Sequence, residues 1–308
     1  MSTFKRLTQV FNSSKEIPFD ESSKLVLISD CHRGDNSWAD NFAHNQNVMF
    51  TALNYYYNAG FTYIELGDGD ELWENRRFTE IRKSHSHIFD ILKKFHANNR
   101  LHMIYGNHDM VKKNKSYVKK NLYHYYDERE KRIEPLFKNI EIHEGLVLRY
   151  KDTENKIFVV HGHQGDLLND YLWWLTRFLV RYVWRPLELY LGYKDPTSPA
   201  KNFKKKKDTE KKILEWVKEN NQMIIAGHTH RPMFPKFNNN LYFNDGSCVH
   251  PRCITGIEIE DGKIALVKWN IKANAKGILY VGREIISGPR KLDYYFENSS
   301  GSANYSAK

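Results

Sequence analysis

Short apolar runs punctuate this chain and end in the same kind of turn. Leu25–Ser29, Tyr63–Leu66, His102–Tyr105, Ile157–Val160 and Met223–Ala226 each have strand length and are followed at once by Gly, Asp, Asn or His. Such runs read as buried strands, because a helix of that burial would need more residues. Between the early runs lie amphipathic stretches. Asn41–Asn58 places Phe42, Val48, Met49, Ala52, Leu53 and Tyr56 on one helical face and is stopped by Ala59-Gly60. Thr79–His96 reads as a second helix. This alternation predicts layered α/β architecture with a parallel front half. From Ile140 the pattern changes to paired short strands, Ile140–His143, Leu146–Tyr150 and Lys156–Val160, with Leu241–Asn244 later. Ile254–Glu260 and Lys263–Trp269 flank Asp261-Gly262, the strongest hairpin signal present. The back half is therefore expected to be antiparallel and to form a second sheet.

The turns that follow the apolar runs carry the chemistry. They are Asp30-Cys31-His32, Gly67-Asp68-Gly69-Asp70, Gly106-Asn107-His108-Asp109, His161-Gly162-His163 and Gly227-His228-Thr229-His230. Carboxylate, amide oxygen and neutral imidazole are the donors preferred by Mn²⁺, Fe and Zn²⁺. In an open α/β sheet the carboxyl ends of the strands meet at one crevice, so these strings converge there. One such string is ordinary turn chemistry; five in register with strand ends point to a metal site. Two cations bridged by one carboxylate, ~4 Å apart, would grip a phosphate and activate a water between them. A nearby imidazole would serve as acid. Cys31 lies between two of the candidate ligands and reads as structural.

At these strings the chain resembles the calcineurin-like metallophosphoesterases, over roughly Leu25 to Trp269. The resemblance implies a two-sheet αββα sandwich flanked by helices and two divalent metal ions, Mn²⁺ first, with Fe or Zn²⁺ as alternatives. Carried over residue by residue, it implies that Asp30, His32 and His230 hold one metal and that Asn107, His161 and His228 hold the other. Asp68 would bridge them. His108 would contact the phosphate and protonate the leaving group, with Asp109 orienting its ring. A Trp- and Arg-rich insertion between the fourth and fifth strings, Glu71 and Trp73 after Gly67-Asp68, and Arg231-Pro232 after the last His are similar to the UDP-2,3-diacylglucosamine pyrophosphatase branch. That branch commonly carries arginine where this chain has His108 and aspartate where it has His163, so a phosphodiesterase or a phosphomonoesterase acting on a protein or small molecule is the alternative reading. Arg33, Arg76, Trp73, Arg177 and Arg181 are the candidates for substrate contact.

The strings run from position 30 to position 230, so one catalytic domain, 25–270, is expected within the 308 residues, after a polar extension over 1–24. Residues 271–308 are expected as a C-terminal extension whose Ser/Asn-rich end is disordered. Hydrophobic content of 41% allows a substantial core. Three cysteines offer no paired framework and indicate a reducing compartment. The polar first twenty residues and the lack of an 18-residue apolar window make a cytoplasmic protein the expectation, peripheral to a membrane at most. The net charge of +10 calls for anionic partners. Half of that excess lies in the insertion, 165–212, which holds 11 Lys/Arg against 6 Asp/Glu. There Arg177, Arg181 and Arg185 recur at spacing four and Lys204–Lys207 follow. The insertion reads as a helical lid, its apolar face gripping a lipid-linked phosphate substrate and its basic edge facing anionic lipid. Simple packing on the body and a nucleic-acid groove of aromatics and lysines are the competing readings.

Overall fold

The computed structural model describes residues 2–151, 153–187, 203–235 and 241–300, leaving aside the side chains of 203–205 and 298–300. Residues 1–24, expected as a polar N-terminal extension, contribute α1 (Thr3–Ser13) and β1 (Lys15–Phe19). Ser2 caps the helix by accepting the Lys5 N–H, and Leu7 and Val10 bury its inner face. The chain continues through β2 (Leu25–Ile28), α2 (Gln46–Asn58), β3 (Thr62–Leu66), α3 (Phe78–Ser84), α4 (Ser86–Ala97) and β4 (Leu101–Ile104). Next come α5 (Lys115–Leu122), the small hairpin β5 (His124–Asp127) and β6 (Arg132–Pro135), then β7 (Ile142–His143), β8 (Gly145–Tyr150) and β9 (Lys156–Val160). The insertion contains α6 (Trp173–Leu179), which runs on as a π-helical turn, Val180–Trp184. After α7 (Phe203–Asn220) follow β10 (Met223–Ala226), β11 (Tyr242–Asn244), β12 (Cys253–Glu260), β13 (Lys263–Ala273), β14 (Leu279–Lys291) and α8 (Asp293–Ser300).

Two mixed sheets face one another. The first has the order β14-β13-β12-β2-β3-β4-β7 and the second β1-β8-β9-β10-β11. The division into a parallel front and an antiparallel back sheet is therefore corrected. The Asp261-Gly262 hairpin forms, both residues taking positive φ (52° and 64°), but β12 pairs antiparallel with β2 and so extends the first sheet. In the second sheet β9, β10 and β11 are mutually parallel. The predicted helix Thr79–His96 is two helices, broken at His85, whose Nε2 meets Asp40 Oδ2 at 2.8 Å. The expected C-terminal boundary at 270 falls inside β13, and β14 and α8 follow it; 301–308 lie outside the described residues.

Strand alternation assigns each face. Leu25 and Leu27 of β2 join the inter-sheet core with Ile64, Leu66, Phe158, Val160 and Ile225. Val26 and Ile28 point the other way, against Ala52 and Leu53 of α2 and Phe89 and Leu92 of α4. On the far side of the second sheet, Ile213, Trp216 and Val217 of α7 are buried, and Trp216 Nε1 donates to Thr8 on α1. The outcome is helix–sheet–sheet–helix. The ends of β2, β3, β4, β9 and β10 all open on one rim.

Candidate metal centre

Turn geometry at that rim is unusual and costly. Asp30 (φ 51°), His32 (48°), Asp68 (49°), His228 (66°) and His230 (53°) are all left-handed, a region that non-glycine residues seldom occupy. Strain of this kind, at least about 1 kcal/mol per residue, concentrates at functional sites. It turns five side chains inward from strand ends. Two sets of ligand atoms result, each within 4.8 Å of one another: Asp30, His32 and His230, and Asp68, His161 and His228.

Each carboxylate is held by one oxygen and offers the other. Asp68 Oδ1 accepts the His108 N–H at 2.8 Å, while Oδ2 lies 3.1 Å from His161 Nε2 and 3.8 Å from His32 Nε2. Asp30 Oδ2 accepts the His228 N–H, while Oδ1 lies 3.0 Å from His230 Nε2 and 3.6 Å from His32 Nε2. The imidazoles are set in the same way. His161 Nδ1–H donates to Leu66 O and His32 Nδ1–H to Glu71 Oε2, both at 2.9 Å, so each turns Nε2 toward the cluster. Asp30 Oδ1, His161 Nε2, His228 Nε2 and both side-chain polar atoms of Asn107 are buried without hydrogen-bond partners. Buried polar atoms rarely remain so, and this donor set fits borderline divalent cations.

Charge in the cluster is strongly perturbed. Burial pushes the Asp68 carboxyl up, but the His161 and His108 imidazoles overcome it and hold it far below the usual range. Burial works against His161 too, yet Asp68 and Asp30 raise it to about 9. Burial and the His161 charge lower His228 to about 3.

The structure corrects the role expected of Asp109. His108 Nδ1–H donates to Glu71 Oε1 at 2.8 Å, and the imidazole stacks on Trp73 with ring centroids 4.1 Å apart. Glu71 thus orients His108 and His32 together, and both imidazoles hold its carboxyl down at about 2 against the opposing effect of burial. Asp109 instead accepts the Gly106 N–H at 2.7 Å and Lys112 Nζ at 2.6 Å. Lys112 also meets Asp70, which meets Arg33, which forks onto Glu65 at 2.7 and 2.9 Å. Arg33 is fully buried in this chain of alternating charges and cannot reach a substrate. A further partner of Asp30, invisible in the sequence, is Ser29: its hydroxyl touches both Asp30 Oδ2 and Asp245 Oδ1. One hydroxyl proton cannot serve two carboxylates, and burial, with the Asp30 charge nearby, raises the Asp245 carboxyl far above the usual range. Cys31 is buried with its Sγ 3.4 Å from Cys248 Sγ, outside both ligand sets.

The other candidates for substrate contact separate. Trp73 is 3% exposed, its ring covered by His108. The arginine stripe of the insertion points inward rather than outward. Arg181 donates to the carbonyls of Leu72, Trp73 and Asn75, and Arg185 to the Glu74 carbonyl and the Asp35 carboxylate. Arg177 is half-buried, its Nε has no partner, and among the described residues no carboxylate pairs with it; burial lowers its pKa. Arg76 is exposed and lies over the Tyr182 ring at 5.1 Å. The apolar side of the insertion faces out, with Trp174 58%, Phe178 55% and Tyr182 48% exposed.

Residues 23–232 match the calcineurin-like phosphoesterase family, and the chain belongs to that family of metal-dependent phosphoester hydrolases. No curated protein matches the chain. Among solved structures, Vps29 of Chaetomium thermophilum aligns with a TM-score of 0.40 at 9% identity, over 86% of this chain and 97% of that one.

Proposed function

We propose that the chain is a dinuclear hydrolase acting on a phosphate ester or diphosphate carried by a lipid. The observation that carries this reading is the placement of Asp68 Oδ2, which faces His161 of one ligand set and His32 of the other. Asp30, His32 and His230 would hold one cation, Asn107, His161 and His228 the second, and Asp68 both; Mn²⁺, Fe and Zn²⁺ all suit these donors. When bound, two such cations supply Lewis acidity toward the phosphate and a nucleophilic water. The rest falls to the protein. His108, its Nδ1 committed to Glu71, offers Nε2 to the leaving group. Arg177, without a carboxylate of its own, and the exposed Arg76 suit the anionic parts of the substrate.

Support for the lipid comes from the outward face of the insertion, where Trp174, Phe178 and Tyr182 each leave about half of their surface exposed. A nucleotide-linked lipid diphosphate, the substrate class of the pyrophosphatase branch, fits that face. The reading is tested with a panel of monoesters, diesters and lipid-linked diphosphates, assayed with Mn²⁺ in the presence and absence of detergent micelles. Acylated diphosphates should be preferred and stimulated by micelles, and Asp68→Ala should lose both metal and turnover. Preference for a short soluble monoester would remove the lipid, and full activity of Asp68→Ala would remove the bridged pair. Cleavage of oligonucleotides with steeply salt-dependent binding would favour the basic residues as a nucleic-acid groove instead.

A further inference from the structure

Arg181 lies on the π-helical turn that continues α6 and belongs to no ligand set. Its Nε donates to the Trp73 carbonyl at 2.9 Å, and its Nη2 donates to those of Leu72 at 2.7 Å and Asn75 at 3.0 Å. No carboxylate pairs with it among the described residues. Burial and the neighbouring Arg177 depress the guanidinium to about 10, so the three carbonyl dipoles are its compensation. An uncompensated guanidinium would otherwise be expelled to solvent. The segment that it grips, Glu71–Asn75, is short and also holds the imidazole: Glu71 accepts from His108 Nδ1, and Trp73 stacks on the ring at an interplanar angle of 25°. Arg185 adds a bond to the Glu74 carbonyl.

We infer that Arg181 is a positioning residue for His108, acting from the insertion through the backbone of Leu72–Asn75 and the ring of Trp73. The inference rests on the reading of His108 as the proton donor, but its geometric core does not. A His108 imidazole that is free to swing still allows cation binding and attack, and only the leaving group goes without its proton. General acid assistance is worth ~10²–10⁴-fold. Loosening the ring should forfeit part of that, about 10-fold or more in kcat for alkyl phosphates, with KM little changed and aryl phosphates of low leaving-group pKa nearly untouched.

The test uses the full chain with Arg181→Ala and, as a milder change, Arg181→Lys, which keeps the charge but cannot reach three carbonyls. Zn²⁺-loaded protein labelled with ¹⁵N-histidine reports the His108 Nδ1–H resonance, assigned by its disappearance in His108→Gln. That resonance should broaden or shift in both Arg181 variants and return toward its original position when guanidinium ion is added to Arg181→Ala. Steeper dependence of kcat on leaving-group pKa, also relieved by guanidinium, should accompany it. An unmoved resonance, or equal loss on every substrate without rescue, overturns the inference. Failure of the parent reading looks different: His108→Gln itself would then show no dependence on the leaving group, while the Arg181 variants would still move the resonance.

Discussion

At the scale of single residues, the centre depends on side chains that are missing as much as on those present. A Cβ built on Gly106 would lie 2.1 Å from Asp68 Oδ1 and 2.5 Å from the Asp68 nitrogen, so the carboxylate that faces both ligand sets occupies the place of that side chain. Gly106→Ala must therefore displace Asp68 or the turn that carries it. We expect the variant to lose bound metal and turnover together while the sheets remain folded, since Gly106 lies at the rim. Gly60→Ala is the control: it has a positive φ of 85° and nothing within 4 Å, so it should cost only the backbone strain, about 1 kcal/mol, with metal content unchanged. Elemental analysis and thermal melts on the two proteins make the comparison. Normal metal content in Gly106→Ala would show that Asp68 does not hold the cations. Asp109 needs a different expectation from the one its sequence position suggests. Bound to Gly106 and Lys112, it stabilises the turn, so Asp109→Asn should lower the melting temperature more than it alters the response to leaving groups.

Among elements, β4 carries a histidine whose charged form the fold disfavours. His102 is largely buried there, and burial, with His143 and Lys15 nearby, lowers its pKa from 6.5 to about 4. The folded state thus favours the neutral ring, and the unfolded chain takes up a proton first as pH falls. Stability should be undiminished by this group above about pH 6.5, decline between 6.5 and 4, and level off below, with a loss of up to about 3 kcal/mol. Denaturant melts at several pH values should show a flatter acid response for His102→Asn; identical slopes would refute the assignment. The same strand shows what the sequence could and could not reveal. β2, β3, β4, β9 and β10 were legible because each is a short apolar run ending in a turn, and the five strings mark those ends. β1 was not, because it is an edge strand with the burial of only Phe19 complete and its partner β8 lies some 130 residues away. The hairpin β12–β13 was legible as a hairpin, yet its sheet was not: Asp261-Gly262 fixes a local turn, whereas pairing with β2 is a long-range choice. Nor could spacing reveal that Glu71 holds His108 while its sequence neighbour Asp109 holds Lys112. That depends on which way each turn faces.

For the whole molecule, the decisive asymmetry is between the two sides of the insertion. Arg181 and Arg185 are spent on the protein's own carbonyls and on Asp35, so these two cannot form the basic edge expected of a lipid-facing helix. What the surface offers is apolar: Leu167 64%, Trp174 58%, Phe178 55%, Tyr182 48% and Leu179 42% exposed. No helix among the described residues is long and apolar enough to cross a membrane. Burying the exposed half of each of these side chains in an interface is worth about 1 kcal/mol apiece, several in all. Cationic residues near an anionic bilayer add about 1 kcal/mol each, and the chain has ten more positive than negative charges to draw on. If the proposed lipid substrate is met at a membrane, the two contributions should be separable by sedimentation with vesicles. Trp174→Ser combined with Phe178→Ser should weaken binding to neutral and anionic vesicles by a similar factor, about 10-fold for each 1.4 kcal/mol removed. Raising the salt should weaken binding only to the anionic ones, because apolar burial is not screened. The double variant should retain hydrolysis of a small soluble ester, since neither residue is a candidate ligand. Vesicle binding unchanged in the double variant would place the contact elsewhere on the molecule, and loss of soluble-ester hydrolysis would show that the face packs the catalytic body instead of serving a lipid.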